Sequence, residues 1–216
     1  MSIFRRRPRD EEQADTAPAG SEPEENSAGK TPRPNGPYDS TEVDLERARA
    51  DRVDLGGLLV PRVEGMKLQL QVEEKSGRPA SVMAVLDDGA VQMIPVAAPR
   101  SSGLWDQTRL QIAADAQRRG GTVEEAAGPF GTEIRIVIPV TTPDGKKAVQ
   151  PSRTVGVDGP RWMLRATFLG GATSNADTFG RLVQVVRDTI VVRGDHPLAP
   201  GDLIALRPPQ QPDQQP

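Results

Sequence analysis

The 216-residue chain contains no cysteine and only one histidine, His196. Without thiols it forms no disulfide, thiolate nucleophile or cysteine-ligated metal site, and one imidazole cannot build a multi-histidine metal centre. His196 could join a hydrolytic triad only as its base, but it sits between the tripeptide RGD and a proline, which is typical of a surface loop. We therefore expect no metal and no cofactor, and no recognisable catalytic motif supports an enzyme.

Long apolar runs are absent as well. No run approaches the roughly 20 residues that span a bilayer, and the start, MSIFRRR, lacks the apolar segment of a signal peptide. We expect a cytoplasmic protein with no membrane span. The net charge of −3 excludes a chain that is basic throughout, while local basic patches stay open.

Both ends of the chain are polar and rich in proline. Residues 1–36 hold almost no apolar side chain after Phe4, and residues 208–216 consist of Pro, Gln and Asp. Such segments cannot offset their ordering entropy by burial. The sequence therefore predicts disordered tails over 1–36 and 208–216, and a single domain over 37–207.

A basic cluster opens the first tail. It consists of Arg5, Arg6, Arg7 and Arg9. These arginines could contact an anionic surface, either a membrane or a nucleic acid, at about 1 kcal/mol per basic residue near a charged membrane. Acidic residues follow directly and partly cancel the positive field, which favours a solvated tail instead.

The clearest pattern lies within residues 158–195. Trp162, Leu164, Ala166 and Phe168 alternate with other residues at the period of a strand with one buried face. After the turn GGATSNAD, apolar residues recur along one stripe of a helix. The stripe consists of Phe179, Leu182, Val183, Val186 and Ile190.

Earlier segments predict more strands and a second helix. Alternating strands cover residues 67–73 and 133–140, and Asp88-Gly89 sits between two apolar runs as in a hairpin. A helix follows Ser101 or Ser102, carries Trp105 as a core anchor and ends at the glycine pair 120–121. The sequence thus predicts an α+β domain, mainly an antiparallel sheet with two principal helices packed on one face.

Three arginines in the segment 152–169 form the one cluster of candidate binding residues. If strands 152–157 and 161–169 pair about a turn at 158–160, then Arg153, Arg161 and Arg165 lie near one another on an exposed sheet face. There they could receive a phosphate, a carboxylate or the acidic surface of a partner. The alternative is a solvated face balanced by nearby acids.

Two other motifs favour structural roles. The Gly170-Gly171 turn matches no phosphate-binding motif, and we expect Ser174, Asn175 or Asp177 to cap the helix after it. The adjacent acids Asp87 and Asp88 fit a hairpin turn better than a cation site, since no spaced third acid completes one.

Several stretches resemble a known family. DLGGLLVP, DGPRWMLRATFLGGAT and VVRG, with the start MSIFRRR, are similar to an actinobacterial family of soluble proteins known only as a domain of unknown function. The resemblance covers residues 38–207 and implies no activity. Helices on an antiparallel sheet also resemble the type III secretion chaperones, whose members bind protein segments, but fold alone does not determine function.

The function is therefore unknown from sequence, and two hypotheses lead. The first is a non-catalytic protein-binding or adaptor module that uses an exposed sheet face or edge, with an unidentified protein partner and an open oligomeric state. The alternative is a nucleic-acid-associated accessory protein whose arginine-rich tail and arginine-bearing sheet face contact phosphates, with binding that weakens as salt rises. An enzyme relying on carboxylates comes third, because no acid pair stands out.

Overall fold

The computed structural model of the chain describes residues 35–73, 77–100 and 103–209. Within them the chain forms two β-sheets and three α-helices. In chain order the elements are β1 (Tyr38–Asp39), α1 (Leu45–Asp51), β2 (Arg52–Asp54), β3 (Leu58–Pro61), β4 (Lys67–Val72), β5 (Pro79–Leu86), β6 (Gly89–Ala97), α2 (Trp105–Arg118), β7 (Thr122–Gly128), β8 (Gly131–Thr141), β9 (Lys147–Gly159), β10 (Trp162–Gly170), α3 (Ala176–Asp188) and β11 (Ile190–Val191).

The larger sheet has seven strands in the order β4-β5-β6-β10-β9-β8-β7. Every neighbouring pair in it is antiparallel. The hairpin predicted at Asp88-Gly89 joins β5 to β6, with Leu86 paired to Gly89. These observations confirm the predicted α+β class with a mainly antiparallel sheet.

Strand β10 lies in the middle of this sheet and is covered on both sides. Trp162, Met163 and Leu164 are consecutive and all buried, and consecutive strand residues point to opposite faces. We call the face that carries Trp162 and Leu164 the α3 face. The opposite face, which carries Met163 and Arg165, is the α2 face.

The α3 face holds the main core. Leu182 and Val186 of α3 pack with Leu164 and Phe168, and the ring of Phe168 meets Phe179 edge-on with 4.9 Å between centroids. A small four-stranded sheet, β1-β11-β3-β2, packs against the same core. The predicted strand stripe and the helix stripe as far as Val186 therefore share one core. Ile190, predicted as the last member of the helix stripe, lies instead on β11 and packs with Leu59.

Helix α2 packs on the other face. Trp105 and Ala116 form a second core with Met163, Ile134 and Ile136. The sequence predicted that both helices pack on one face, but the structure places α2 and α3 on opposite faces of the larger sheet. The reason is that β10 carries apolar side chains on both faces, as strands covered on two sides do, and that the apolar side chains Ile134 and Ile136 of β8 lie on the α2 face.

The predicted tails fall largely outside the described residues, as do Arg5, Arg6, Arg7 and Arg9. The expected caps of α2, Ser101 and Ser102, lie outside them too. In the part of the chain that is described, no helix has the length and apolarity needed to cross a membrane.

Candidate functional site

The structure places Arg153 and Arg165 on opposite faces of the larger sheet. In the β9–β10 hairpin, Arg153 is paired with Phe168 and Arg165 with Gly156. Directly paired residues point to the same face, so Arg153 lies on the α3 face and Arg165 on the α2 face. The prediction that these arginines share one exposed face is therefore wrong.

The cause is the register of the hairpin. A turn over 158–160 would have set Arg153 opposite Arg165, but β9 continues to Gly159, which pairs with Trp162. The turn is thus made by Pro160 and Arg161, and Arg161 adopts a positive φ of 62°. A change of register by an odd number of residues moves a side chain to the other face.

Arg153 is neutralised within the protein. Its Nη2 donates to both carboxylate oxygens of Glu133, at 2.8 and 3.0 Å, and Arg135 Nε donates to the same carboxylate at 2.9 Å. The Arg153 guanidinium carbon also lies 3.5 Å from the centroid of the Phe179 ring. Because the Glu133 side chain is fully buried, this cluster holds β8 and β9 to α3.

Arg165 lines a pocket between the α2 face, α2 and the chain that precedes the C-terminus. The pocket has a volume of about 490 Å³. Its lining comprises Ile94, Val96, Pro99, Leu104, Gln107, Thr108, Gln111, Met163, Arg165, Pro200, Gly201 and Leu203. Arg165 is the one charged residue among the described residues of this lining, and the walls that they form are otherwise apolar or neutral. We call this space the Arg165 pocket.

The guanidinium of Arg165 has no anionic partner among the described residues. Burial lowers the pKa of this group below its ordinary value, because desolvation disfavours the charged form. An arginine nevertheless stays protonated in proteins. The pocket therefore presents a half-buried positive charge that nothing in the described chain compensates.

Helix α2 forms the pocket wall because its first turn is held by a distant carboxylate. Leu104 N–H donates to Asp158 Oδ1 at 2.7 Å, and Trp105 N–H donates to both oxygens of Asp158 at 3.3 Å. Trp105 Nε1 donates to the carbonyl of Thr132 at 2.8 Å. These bonds fix Gln107 and Gln111, one turn apart, at the rim of the pocket.

Beside the pocket, the described segments of the chain leave part of the α2 face uncovered. Helix α2 packs over β7, β8 and β9, and the α2 face of β5, β6 and β10 carries half-buried side chains. We call this part the open face; it carries Met83, Gln92, Ile94, Arg165 and Thr167.

The open face is lined by neutral polar groups. The amide of Gln92 donates to Gln71 Oε1 and lies 3.3 Å from Ser81 Oγ, while the hydroxyls of Thr154 and Thr167 are 3.2 Å apart. Amides and hydroxyls of this kind can donate to or accept from a peptide backbone. The open face could thus hydrogen-bond an extended chain.

A larger cleft of about 650 Å³ lies beside α1, β2 and β4, and is lined in part by Arg49, Arg52 and Arg62. Each of these arginines already has a partner. Arg49 pairs with Asp54 at 3.4 Å, and Arg52 and Arg62 donate to backbone carbonyls at 3.0 and 3.3 Å. Although this cleft is larger, it is a weaker candidate than the Arg165 pocket, because its three arginines already have partners.

The glycine turn before α3 has the structural role that the sequence favoured. Asn175 Oδ1 accepts hydrogen bonds from the backbone of Asp177 and Thr178, at 2.9 and 3.3 Å, and so caps the helix. The side chain of Asp88 lies against Gly171, whose Cβ would come within 2.2 Å of it. A carboxylate already occupies the place a phosphate would need.

Within the described residues, no three His, Asp or Glu side chains converge as a metal site requires. The Asp87 and Asp88 carboxylates have other partners. Asp87 forms an ion pair with Arg181, and Asp88 accepts a hydrogen bond from Thr178 Oγ1 at 3.0 Å.

Comparison with known protein families shows which family the chain belongs to. The family described as a protein of unknown function, DUF3710, matches residues 36–215. The chain belongs to the DUF3710 family. Comparison with curated proteins gave no match. Membership in DUF3710 fixes no activity.

Sequence reasoning found Arg165 but not the rest of the pocket. Gln107 and Gln111 are four apart on a helix that was predicted, so their shared side of α2 could be read from spacing. What could not be read was which strands that side would meet. The chain at Pro200–Leu203 closes the pocket through long-range bonds, such as Ala97 N–H to the Asp202 carbonyl at 2.8 Å.

Proposed function

We propose that this protein is a non-catalytic binding module that holds a partner protein against the open face, with Arg165 receiving an acidic group of the partner. One observation carries the proposal: Arg165 is a half-buried cation with no counter-ion among the described residues, in a pocket of about 490 Å³. Burying an unpaired charge is unfavourable. A ligand that brings the missing negative charge would remove that cost.

The surroundings of Arg165 support a protein partner over a nucleic acid. Nucleic-acid binding draws its affinity from several phosphate contacts made by several cations. The Arg165 pocket offers one cation, and Arg153 is already bound to Glu133. Neutral groups such as Gln92 and Thr167 instead suit a polypeptide.

The lining also supports binding without catalysis. Its described residues supply a guanidinium, two amides and the hydroxyl of Thr108, but no carboxylate, imidazole or thiol that could transfer a proton. The absence of cysteine from the whole chain agrees with a reducing compartment, and we place the action of the protein in the cytoplasm.

Photo-crosslinking in the native cell tests this function. A photoreactive phenylalanine analogue would replace Gln111 at the rim of the pocket, and in a second protein it would replace Gln184, which is exposed on α3. We expect a discrete adduct from position 111 that disappears when Arg165→Met is added. Arg161→Met, which removes a charge from the turn of the same hairpin, should leave the adduct in place.

Two results would count against the proposal. Adducts that are the same from positions 111 and 184 would mean that the open face binds nothing selectively. An adduct at position 111 that survives Arg165→Met would mean that the partner does not use the charge in the pocket.

A further inference from the structure

We propose that the acidic group received by Arg165 is the terminal carboxylate of a polypeptide whose last side chain is apolar. This inference rests on the proposed function and names the ligand of the same site. It follows from three properties of the Arg165 pocket: its single charge, its apolar walls and its continuity with the open face.

The single positive charge of Arg165 favours a ligand with one negative charge. Among the described residues, the lining contains one guanidinium and no other charged group. A phosphate group carries about −1.5 to −2 at neutral pH, so it would bring uncompensated negative charge into a partly desolvated site. One guanidinium matches one carboxylate in charge and can bind both of its oxygens at once.

The apolar walls of the pocket favour a ligand that has an apolar group next to its carboxylate. Ile94, Val96, Met163 and Leu203 surround the space beside the guanidinium. An aliphatic side chain adjacent to the carboxylate would bury apolar surface against them. The volume of about 490 Å³ falls within the range of about 300–1,000 Å³ that is usual for ligand pockets.

The polar groups of the open face favour a polypeptide over a free organic acid as the ligand. Gln107 and Gln111 stand at the rim of the pocket, and Gln92 and Thr167 lie on the sheet beside Arg165. A free acid would end inside the pocket, short of these groups, of which Gln92 and Thr167 already bond to neighbours in the sheet. A peptide entering with its carboxyl end first would continue over amides and hydroxyls that can pair with its backbone.

The methionines of the chain allow a site-specific test by NMR with ¹³C-methyl methionine. Met163 lines the Arg165 pocket, while Met66 lines the separate cleft beside α1 and serves as an internal control. The probe is acetyl-Ala-Ala-Leu, added to the full chain either as the free acid or as the C-terminal amide. Hexanoate and inorganic phosphate are added in separate titrations.

We expect the free acid to shift the Met163 methyl resonance and leave Met66 unchanged. The amide should bind at least about tenfold more weakly, because it lacks the charge-assisted pair. Arg165→Leu, which adds no labelled methyl, should abolish the shift, and the control Arg161→Leu should retain it. Hexanoate should bind more weakly than the peptide acid, and phosphate should leave Met163 unmoved.

The remaining results separate failure of this inference from failure of the proposed function. Equal binding of the acid and the amide, a shift of Met163 by phosphate, or hexanoate binding as tightly as the peptide acid would each overturn the ligand assignment. Absence of any Met163 shift, with an Arg165-dependent crosslink at position 111, would also overturn it and leave the binding function standing. Loss of both signals would overturn both.

Discussion

Trp105 packs directly on Gly156: a Cβ atom at Gly156 would lie 2.3 Å from Cε3 of the indole. Gly156 is the residue paired with Arg165 across the hairpin. The glycine thus lets α2 approach the sheet closely enough to form a wall of the Arg165 pocket. The position of α2, and with it the site, depends on the missing side chain.

Replacement of this glycine should destabilise the protein. Gly156→Ala forces Trp105 off the sheet, and overpacking of this kind costs about 1–3 kcal/mol in the free energy of unfolding. Urea denaturation monitored by tryptophan fluorescence measures the change.

A second glycine provides a control with the opposite sign. Gly180 lies inside α3, and apart from the backbone of its own helix no described atom lies within 4 Å of its would-be Cβ. Gly180→Ala should stabilise the protein by about 0.5–1 kcal/mol, since alanine favours a helix interior. Equal effects from the two substitutions would contradict the proposed contact between Trp105 and Gly156.

Removal of the distant cap should loosen the start of α2. Asp158→Ala leaves the N–H groups of Leu104 and Trp105 without the carboxylate that accepts from them, at a cost of about 1 kcal/mol. Hydrogen exchange of these two amides should accelerate. Unchanged protection of both would show that the carboxylate does not hold the helix.

Neutralising Glu133 should be costly. Its fully buried carboxylate binds Arg153 and Arg135, and removal of one member of a buried charge pair costs about 3 kcal/mol. We expect Glu133→Gln to lower the free energy of unfolding by about that amount in urea titrations. The same substitution at Glu124, which is exposed on β7, should change it by no more than about 0.5 kcal/mol.

Arg165 should reduce the stability of the unliganded protein. Its charge is partly desolvated without a described partner, so Arg165→Met should raise the free energy of unfolding by about 1 kcal/mol, as at other sites where function opposes stability. Arg161→Met, at the turn, should leave it nearly unchanged. A marked loss of stability in Arg165→Met would indicate a structural role for this arginine instead.

The local patterns of the sequence were sufficient for much of the fold. Strand β10, helix α3 and the hairpin at Asp88-Gly89 follow from apolar spacing and turn chemistry, and Trp105 is the buried anchor that its place on α2 predicted. The Asn175 cap could also be anticipated, because its side chain acts on neighbours in the chain.

The site could be predicted less well, because it depends on pairing between distant segments. Whether Arg153 and Arg165 share a face is decided by the turn at Pro160 and Arg161. A change of one residue in the pairing register moves a side chain to the opposite face of the sheet. Asp158 likewise caps a helix far away in the sequence. Local periodicity carries no information on either relationship.

The open face can be tested most directly by methyl NMR of the ¹³C-methionine-labelled chain in extract of its native cell. Met83 and Met163 lie on the α2 face, while Met66 lies in the cleft beside α1. The account predicts that Met83 and Met163 broaden or shift, that Met66 does not, and that Arg165→Leu, which adds no labelled methyl, restores the free spectrum. Perturbation of Met66 alone, or a Met163 signal that is the same with and without Arg165, would contradict it.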